Sequence, residues 1–400
     1  MRKKNFTINP LPSASPYKQD EQSFYNVPDS TASNLVLDVL GAGTDVADLP
    51  ARKKQINHST TYEVKKKGNR RLVTMTTQKG DSEVTIELTN IDKLTGSNKP
   101  AKKLFVLSLI KANEQAIHNG VLTRDYISFP LKELLDIGFY TTLQSARKGF
   151  DNGADALTSL KIKGRVSKSK KKVTDITEEK DSGGTYALEV LFTGATREKG
   201  QCFIYLNPRI KWGALTQYFT ILPTYYFRLS NRASDLLYYI FYLARQHTGE
   251  KDIVEIEDEK TGKKTQAVVF NISFRAIQHR LQLPNEKGAA NPQRDIKDAI
   301  ERAIEELEDN HKTTYDNMEF SLLPVYDDNA PITSFLDNGY LKVSLTGSFA
   351  TAFIELSKDT ARQIAEAEKR KERIIEQAMI KATADKIKED QDQKDQEGAG

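Results

Sequence analysis

The sequence predicts an α+β chain that carries one kind of folding unit twice, and three observations predict it. Ile127-Ser128-Phe129 and Ile272-Ser273-Phe274 are matching apolar triplets, each opening a similar stretch. An apolar helical run precedes each triplet, Lys102–His118 in one case and Ala233–His247 in the other. Two helical patterns separated by a break follow each, and alternating segments that read as strands close each unit. Helix, short strand, helix, turn, helix and hairpin is the order of a winged helix-turn-helix. Two winged-helix domains in tandem are therefore expected, with a disordered N-terminal arm and a C-terminal helix ending in an acidic tail.

Four hundred residues exceed one ordinary domain. The boundaries read as an unstructured arm over 1–60, a β-hairpin extension over 61–98, winged-helix domains over 99–222 and 223–357, and a helix with its tail over 358–400. The arm is rich in Pro, Ser, Asn and Asp, and only Leu35–Leu40 suits a short helix. Arg71–Thr77 and Glu83–Thr89 alternate apolar with polar residues across Gln78-Lys79-Gly80-Asp81, a hairpin signal.

In the first unit the apolar helix stops at Asn119-Gly120 and the second helix covers Leu131–Ile137. Gly138-Phe139 makes the turn, and Thr141 or Thr142 caps a third helix that runs to Leu160. That helix places Leu143, Ala146, Phe150, Ala154, Leu157 and Leu160 on its core side. Leu160–Val166 and Tyr186–Phe192, around a long basic loop, read as a wing, with Gln201–Leu206 as a third strand. Asn207–Leu222 bridges to the second unit and holds the only tryptophan, Trp212. The aromatic helix 230–247 is apolar nearly all round, as suits an element sandwiched between domains. Residues 249–266 read as a charged hairpin. The second unit resumes with helices over Phe274–Leu283 and Pro292–Asp309, the latter capped by Asn291, and its wing strands are Phe320–Tyr326 and Tyr340–Leu345. Ala361–Lys388 is helical by composition but has a thin apolar stripe, which suits a solvated single helix.

Charge is distributed unevenly. The net is +4, but Asp385–Gly400 holds six acids against three lysines, so the preceding chain nets about +7. Lys161–Lys172 has seven basic residues and no acid, and Lys65–Lys67 with Arg70 and Arg71 forms a second cluster. Such clusters suit a polyanion partner and equally a solvated loop. The single cysteine, Cys202, excludes a disulfide framework and reads as a buried strand thiol. No apolar stretch approaches a membrane span and no apolar region follows the basic start, so a cytoplasmic protein is expected.

The sequence offers no case for catalysis. Gly262-Lys263-Lys264-Thr265 lacks the upstream glycine of a phosphate loop, where Glu257 stands. The five histidines are isolated, with no pair at metal-ligand spacing, and the adjacent carboxylates Asp327-Asp328 and Glu305-Glu306 point apart. The chain is read as non-enzymatic and without cofactor or metal.

A helix fits the major groove with its N-terminal half against base edges. In the first unit those positions are Tyr140, Thr141, Gln144, Ser145, Arg147 and Lys148. Lys163, Arg165, Lys168, Lys170, Lys171 and Lys172 would follow the phosphates from the wing. The second unit offers Gln293, Arg294 and Lys297, flanked by Asp295 and Asp298, which repel phosphate.

With these residues in view, the chain resembles the iteron-binding plasmid replication initiators. The resemblance covers roughly residues 99–346 and rests on the tandem order and on the aromatic helix RLSNRASDLLYYIFYLARQH, Arg228–His247. It implies sequence-specific binding of double-stranded DNA at origin direct repeats, opening of adjacent DNA and recruitment of host replication proteins, a helicase or an initiator. It also implies a homodimer that represses its own gene. The long arm, the 249–266 insertion and the C-terminal helix depart from that pattern. A transcriptional regulator or partition protein on the same fold, or a winged-helix scaffold for protein partners, stays open as an alternative.

Overall fold

The computed structural model describes residues 24–28, 30, 32–34, 36–37, 40, 53–57, 60–67, 70–79, 82–89, 100–118, 121–169, 172–177, 188–216, 219–248, 252–257, 264–281, 283, 292–314, 320–327, 331–347 and 349–355. Among these residues the chain is α+β, with antiparallel sheets and helices around one continuous apolar core. The C-terminal segment expected to be helical and acidic lies outside the described residues, as do Lys170, Lys171 and the expected cap Asn291.

The stretch expected to be an unstructured arm contains β1 (Phe24–Pro28), which pairs antiparallel with Phe219–Pro223 of the bridge between the units. Ser30 and Ser33 then exchange hydrogen bonds, each backbone N–H donating to the other's hydroxyl at 2.7 and 3.0 Å. This reciprocal cap starts helical residues whose Ala32, Val36, Leu37 and Leu40 are buried with Val27. Phe24 meets Phe349 of the second half at 4.8 Å, and Tyr25 meets Phe227 at 5.2 Å. Scattered apolar residues in a polar stretch hid this strap, because what buries them is some two hundred residues away.

Four strands follow in a meander: β2 (Lys53–Asn57), β3 (Thr60–Lys67), β4 (Arg70–Lys79) and β5 (Ser82–Thr89). The expected hairpin is present, with Lys79 paired to Ser82. After α1 (Pro100–Gln115), the short pair β6 (Ile117–His118) and β7 (Val121–Leu122) leads to β8 (Tyr126–Pro130), α2 (Glu133–Asp136) and α3 (Leu143–Thr158). Next come β9 (Leu160–Ser169), β10 (Lys172–Asp175), β11 (Glu189–Val190), β12 (Phe192–Glu198) and β13 (Gln201–Leu206).

The pairing expected of the wing is present in part, between β9 and β11, but in a different sheet and without Gln201–Leu206. β9 pairs with β5, from Leu88↔Leu160 to Glu83↔Arg165, and with β10 and β11 on its other side. The basic stretch is thus part of the N-terminal sheet, because Leu160 and Ile162 bury themselves beside Val84 and Ile86. The hairpin of the first unit is instead β12 and β13, turning at Lys199 and Gly200 with φ of 47° and 80°. β13 also pairs with β8, so the sheet order is β12-β13-β8. The Gln115 side chain covers the free edge of β8, donating to Ser128 O and accepting from Ser128 N at 2.9 Å each. Cys202 is buried in β13, and burial pushes its thiol up to about 12.

The bridge holds α4 (Trp212–Leu215) and β14 (Phe219–Pro223), then a tight helical turn over Thr224–Arg228. Trp212 is buried and its Nε1–H donates to Asn207 O at 3.0 Å. The second half runs α5 (Asn231–Gln246), β15 (Ile253–Glu257), β16 (Lys264–Ser273), α6 (Phe274–Arg280), α7 (Pro292–Thr314), β17 (Phe320–Val325), α8 (Ile332–Asn338) and β18 (Tyr340–Leu345). Its sheet order is β15-β16-β18-β17. The 249–266 insertion supplies β15 and the start of β16, as the charged hairpin required. The loop between β17 and β18 carries α8, which was not foreseen; Phe335 there stacks on Phe274 at 4.3 Å.

The two Ile-Ser-Phe triplets prove unequal. Ser128 lies mid-strand against Gln115, whereas Ser273 ends its strand and caps α6 by accepting from Ala276 N. What repeats is the element order and the strand order, β8-β13-β12 in one half and β16-β18-β17 in the other.

Polar contacts, some of them buried, gather where the two halves meet. Lys103 Nζ donates to the carbonyls of Phe227, at 3.0 Å, and Leu229. Neighbouring Lys102 pairs with Asp235 at 2.6 Å, and Ser230 N donates to Glu306 at 2.5 Å. Burial lowers Lys103 from 10.5 to about 8, despite the raising influence of Glu306 and Asp235. Between those values the unfolded chain holds a proton that the folded one lacks, so stability climbs as pH rises through that window.

Two measurements check these contacts. Leu37→Ala should cost ~2–5 kcal/mol in chemical denaturation, as for a core leucine; an unchanged midpoint would mean that the strap carries no load. The wild type should gain stability between about pH 8 and 10 relative to Lys103→Met, by up to ~3 kcal/mol. Parallel profiles would remove Lys103 as the titrating group.

Candidate nucleic-acid interface

The third helix of the first unit is positioned from behind by a buried ion cluster. Lys111 of α1 reaches Glu133 of α2 at 2.9 Å and Glu114 at 3.2 Å. Burial alone would lower Lys111, but the two carboxylates outweigh it and hold its ammonium above the ordinary range. Breaking such a buried cluster by removing one partner is costly, so α2 is fixed on α1.

From α2 the chain turns through Gly138 at φ 74°, where a side chain would also strike Arg228. Tyr140 N donates to Leu134 O at 3.0 Å, closing the turn. Thr142 then caps α3: its hydroxyl accepts from Ser145 N at 3.1 Å, while Ser145 Oγ accepts from Thr142 N at 3.2 Å. Ala146, Phe150, Ala154 and Leu157 face the core, as expected. Leu143 does not. At the helix start it lies beyond the reach of α1 and is 49% exposed.

The six expected positions on this helix divide. Thr141, Gln144, Arg147 and Lys148 are exposed together along its N-terminal half. Ser145 is half-buried and its hydroxyl serves the cap. Tyr140 turns inward: its ring stacks on Phe139 at 4.6 Å and its hydroxyl is buried against Gly149 with no hydrogen-bond partner among the described residues. Burial pushes that hydroxyl well above the usual tyrosine range. A glycine at 149 is what lets the ring lie on the helix.

The basic residues assigned to a wing are elsewhere. Lys163, Arg165 and Lys168 lie in β9 and Lys172 in β10, on the N-terminal sheet; Lys163 is half-buried there. The hairpin that does stand beside α3 carries Arg197, Glu198 and Lys199, all exposed. Arg197 grips Asp151 of α3, with Nη2 to Oδ2 at 3.0 Å and Nε to Oδ1 at 3.4 Å. Reasoning from the sequence missed these residues. Their signal in the sequence is a Lys-Gly pair between two segments of strand character, shorter and less basic than the run 161–172.

In the second half, Gln293, Arg294 and Lys297 begin α7. Arg294 is exposed and approaches Asp298 at 3.8 Å. Lys297 sits over the Tyr326 ring at 4.4 Å and pairs with Glu301 at 3.7 Å. Tyr326 Oη in turn donates to Glu301 at 2.6 Å. Helix α7 carries seven acids against four lysines and arginines, so its cations are offset locally.

The chain matches no protein-family model and no curated protein. Among solved structures it is similar to the crystal structure of selenomethionine derivatives of domains 2 and 3 of RctB. That match has 10% identity and a TM-score of 0.32, covering 77% of this chain and 97% of that one. A second structure, RctB domains 2-3 over 155–483, matches at 10% identity and a TM-score of 0.33, covering 78% and 98%. Similarity of that degree carries no functional argument. No described helix is long and apolar enough to cross a membrane.

The packing of Tyr140 on Gly149 is directly testable. Gly149→Ala should destabilise the protein by ~1–3 kcal/mol through overpacking, and adding Tyr140→Leu should recover most of that loss in urea titrations. Additive costs would show that the ring is not what Gly149 accommodates.

Proposed function

We propose that this chain is a non-enzymatic, sequence-specific binder of duplex DNA, built from two winged-helix domains and acting in replication initiation at origin direct repeats of a plasmid or mobile element. The observation that carries the DNA reading is the row Thr141, just before the cap, with Gln144, Arg147 and Lys148, exposed on α3 beside the β12–β13 hairpin. The repeated strand order supports the tandem winged-helix reading. Gln pairs with adenine and Arg with guanine in the major groove, so these side chains suit base reading there. Replication rather than another use of the same fold rests on the resemblance to iteron-binding initiators, with host replication proteins and a second copy of this chain as the implied partners and the cytoplasm as its setting.

One observation favours a different duty for the second domain. The acidic balance of α7, with Lys297 held between Tyr326 and Glu301, suits a protein partner better than a phosphate backbone. The two halves then divide the work: the first reads DNA and the second docks a partner.

Footprinting of the purified protein on the DNA flanking its gene distinguishes the readings. Protection of short direct repeats beside an AT-rich segment supports initiation, protection of one palindrome supports a regulator, and no salt-dependent binding leaves a scaffold. On a footprinted site, Gln144→Ala and Arg147→Ala should each reduce discrimination by ~1–3 kcal/mol, while Arg294→Ala should change it little. Equal effects from both helices would sink the division of work.

A further inference from the structure

Asp151 is oddly placed for a DNA-reading helix. It lies one turn beyond Arg147 and Lys148, and a bare carboxylate there would repel the backbone that those cations attract. Its fork-to-fork pairing with Arg197 gives it another use. Arg197 has five N–H donors in a rigid plane, and the two contacts to Asp151 engage Nε and Nη2. The Nη1 donors remain unengaged by that contact, on a guanidinium whose side chain is 31% exposed beside a carboxylate that is 54% exposed. The backbone beneath is fixed, because Arg197 pairs with buried Cys202 across the hairpin. An exposed ion pair adds little stability by itself, but it removes rotamer freedom that binding would otherwise have to remove.

We propose that Asp151 is a positioning residue that aims Arg197 at a backbone phosphate of duplex DNA lying between α3 and the β12–β13 hairpin. The proposal rests on the duplex-DNA reading of the first domain. Asp151 acts only through Arg197, so its effect on binding depends on whether Arg197 is present. With the arginine in place the carboxylate helps; without it the carboxylate merely repels.

The test uses the full chain and a fluorescent duplex of arbitrary sequence, since a phosphate contact needs no particular bases. Arg197→Ala should weaken binding and lower the salt slope by about one. Asp151→Ala should weaken binding about three- to tenfold in the wild-type background. In the Arg197→Ala background the same change should strengthen it. That reversal of sign is not expected of a residue that only stabilises the fold, and urea titrations of all three variants check folding separately. If Asp151→Ala strengthens binding in both backgrounds, or leaves both unchanged, the positioning role is overturned while DNA binding stands. If the wild type shows no salt-dependent binding, the duplex-DNA reading itself falls.

Discussion

A buried ammonium needs acceptors, and Lys103 takes them from the carbonyls of Phe227 and Leu229, in the segment where the chain passes from one half to the other. Helix α1, which carries Lys103, is the first helix of the first unit; Ser230 after Leu229 caps α5, the first helix of the second. One side chain therefore ties the opening helices of both units at their shared seam. Burial lowers its pKa, and the pairings of Lys102 with Asp235 and of Ser230 with Glu306 surround it with further polar order. Around this seam the strap of residues 24–40 completes the seal, with β1 on β14 and Phe24 against Phe349.

On either side of that seam the two units share an order of elements but differ in detail. In the first, the inserted basic strands leave the unit to join β5, and the hairpin left beside α3 is short and tipped by Lys199 and Gly200. In the second, the insertion widens the unit's own sheet through β15, and the hairpin loop carries α8 back onto α6. The cations of α3 stand exposed, whereas those at the start of α7 lie against an aromatic ring and carboxylates. A common topology has thus been given two surface chemistries.

The local elements were legible where periodicity and caps agree. The helices of both units other than α8, the β4–β5 hairpin and the strands β13 and β18 follow from alternation, helical spacing and stop residues over a dozen residues or fewer. A threonine cap at 141 or 142, Gly138 as turn and the core face of α3 apart from Leu143 are of the same kind. On the candidate site, the exposed row Thr141, Gln144, Arg147 and Lys148 could be read from spacing alone, but Tyr140 could not. Whether an aromatic next to a turn points outward depends on whether the facing helix leaves room, and here Gly149 leaves it.

Pairing between distant segments is where the sequence stops and tertiary structure decides. The alternating strand Leu160–Ser169 can join any sheet that offers an apolar face, and nothing local says that β5 wins over the neighbouring hairpin. Likewise, Val27, Val36 and Leu37 look like stray apolar residues until segments distant in the chain bury them. The basic run is a matter of composition, but its place on the N-terminal sheet, and the grip of Arg197 on Asp151 across 46 residues of chain, are not. By itself the sequence determined the principal helices of both units, the cap and turn around α3 and the cations that α3 carries, because these depend on neighbours a turn or two away. The tertiary structure decided which strands pair and which charges remain exposed, because burial is a property of surfaces that meet only after the chain has folded.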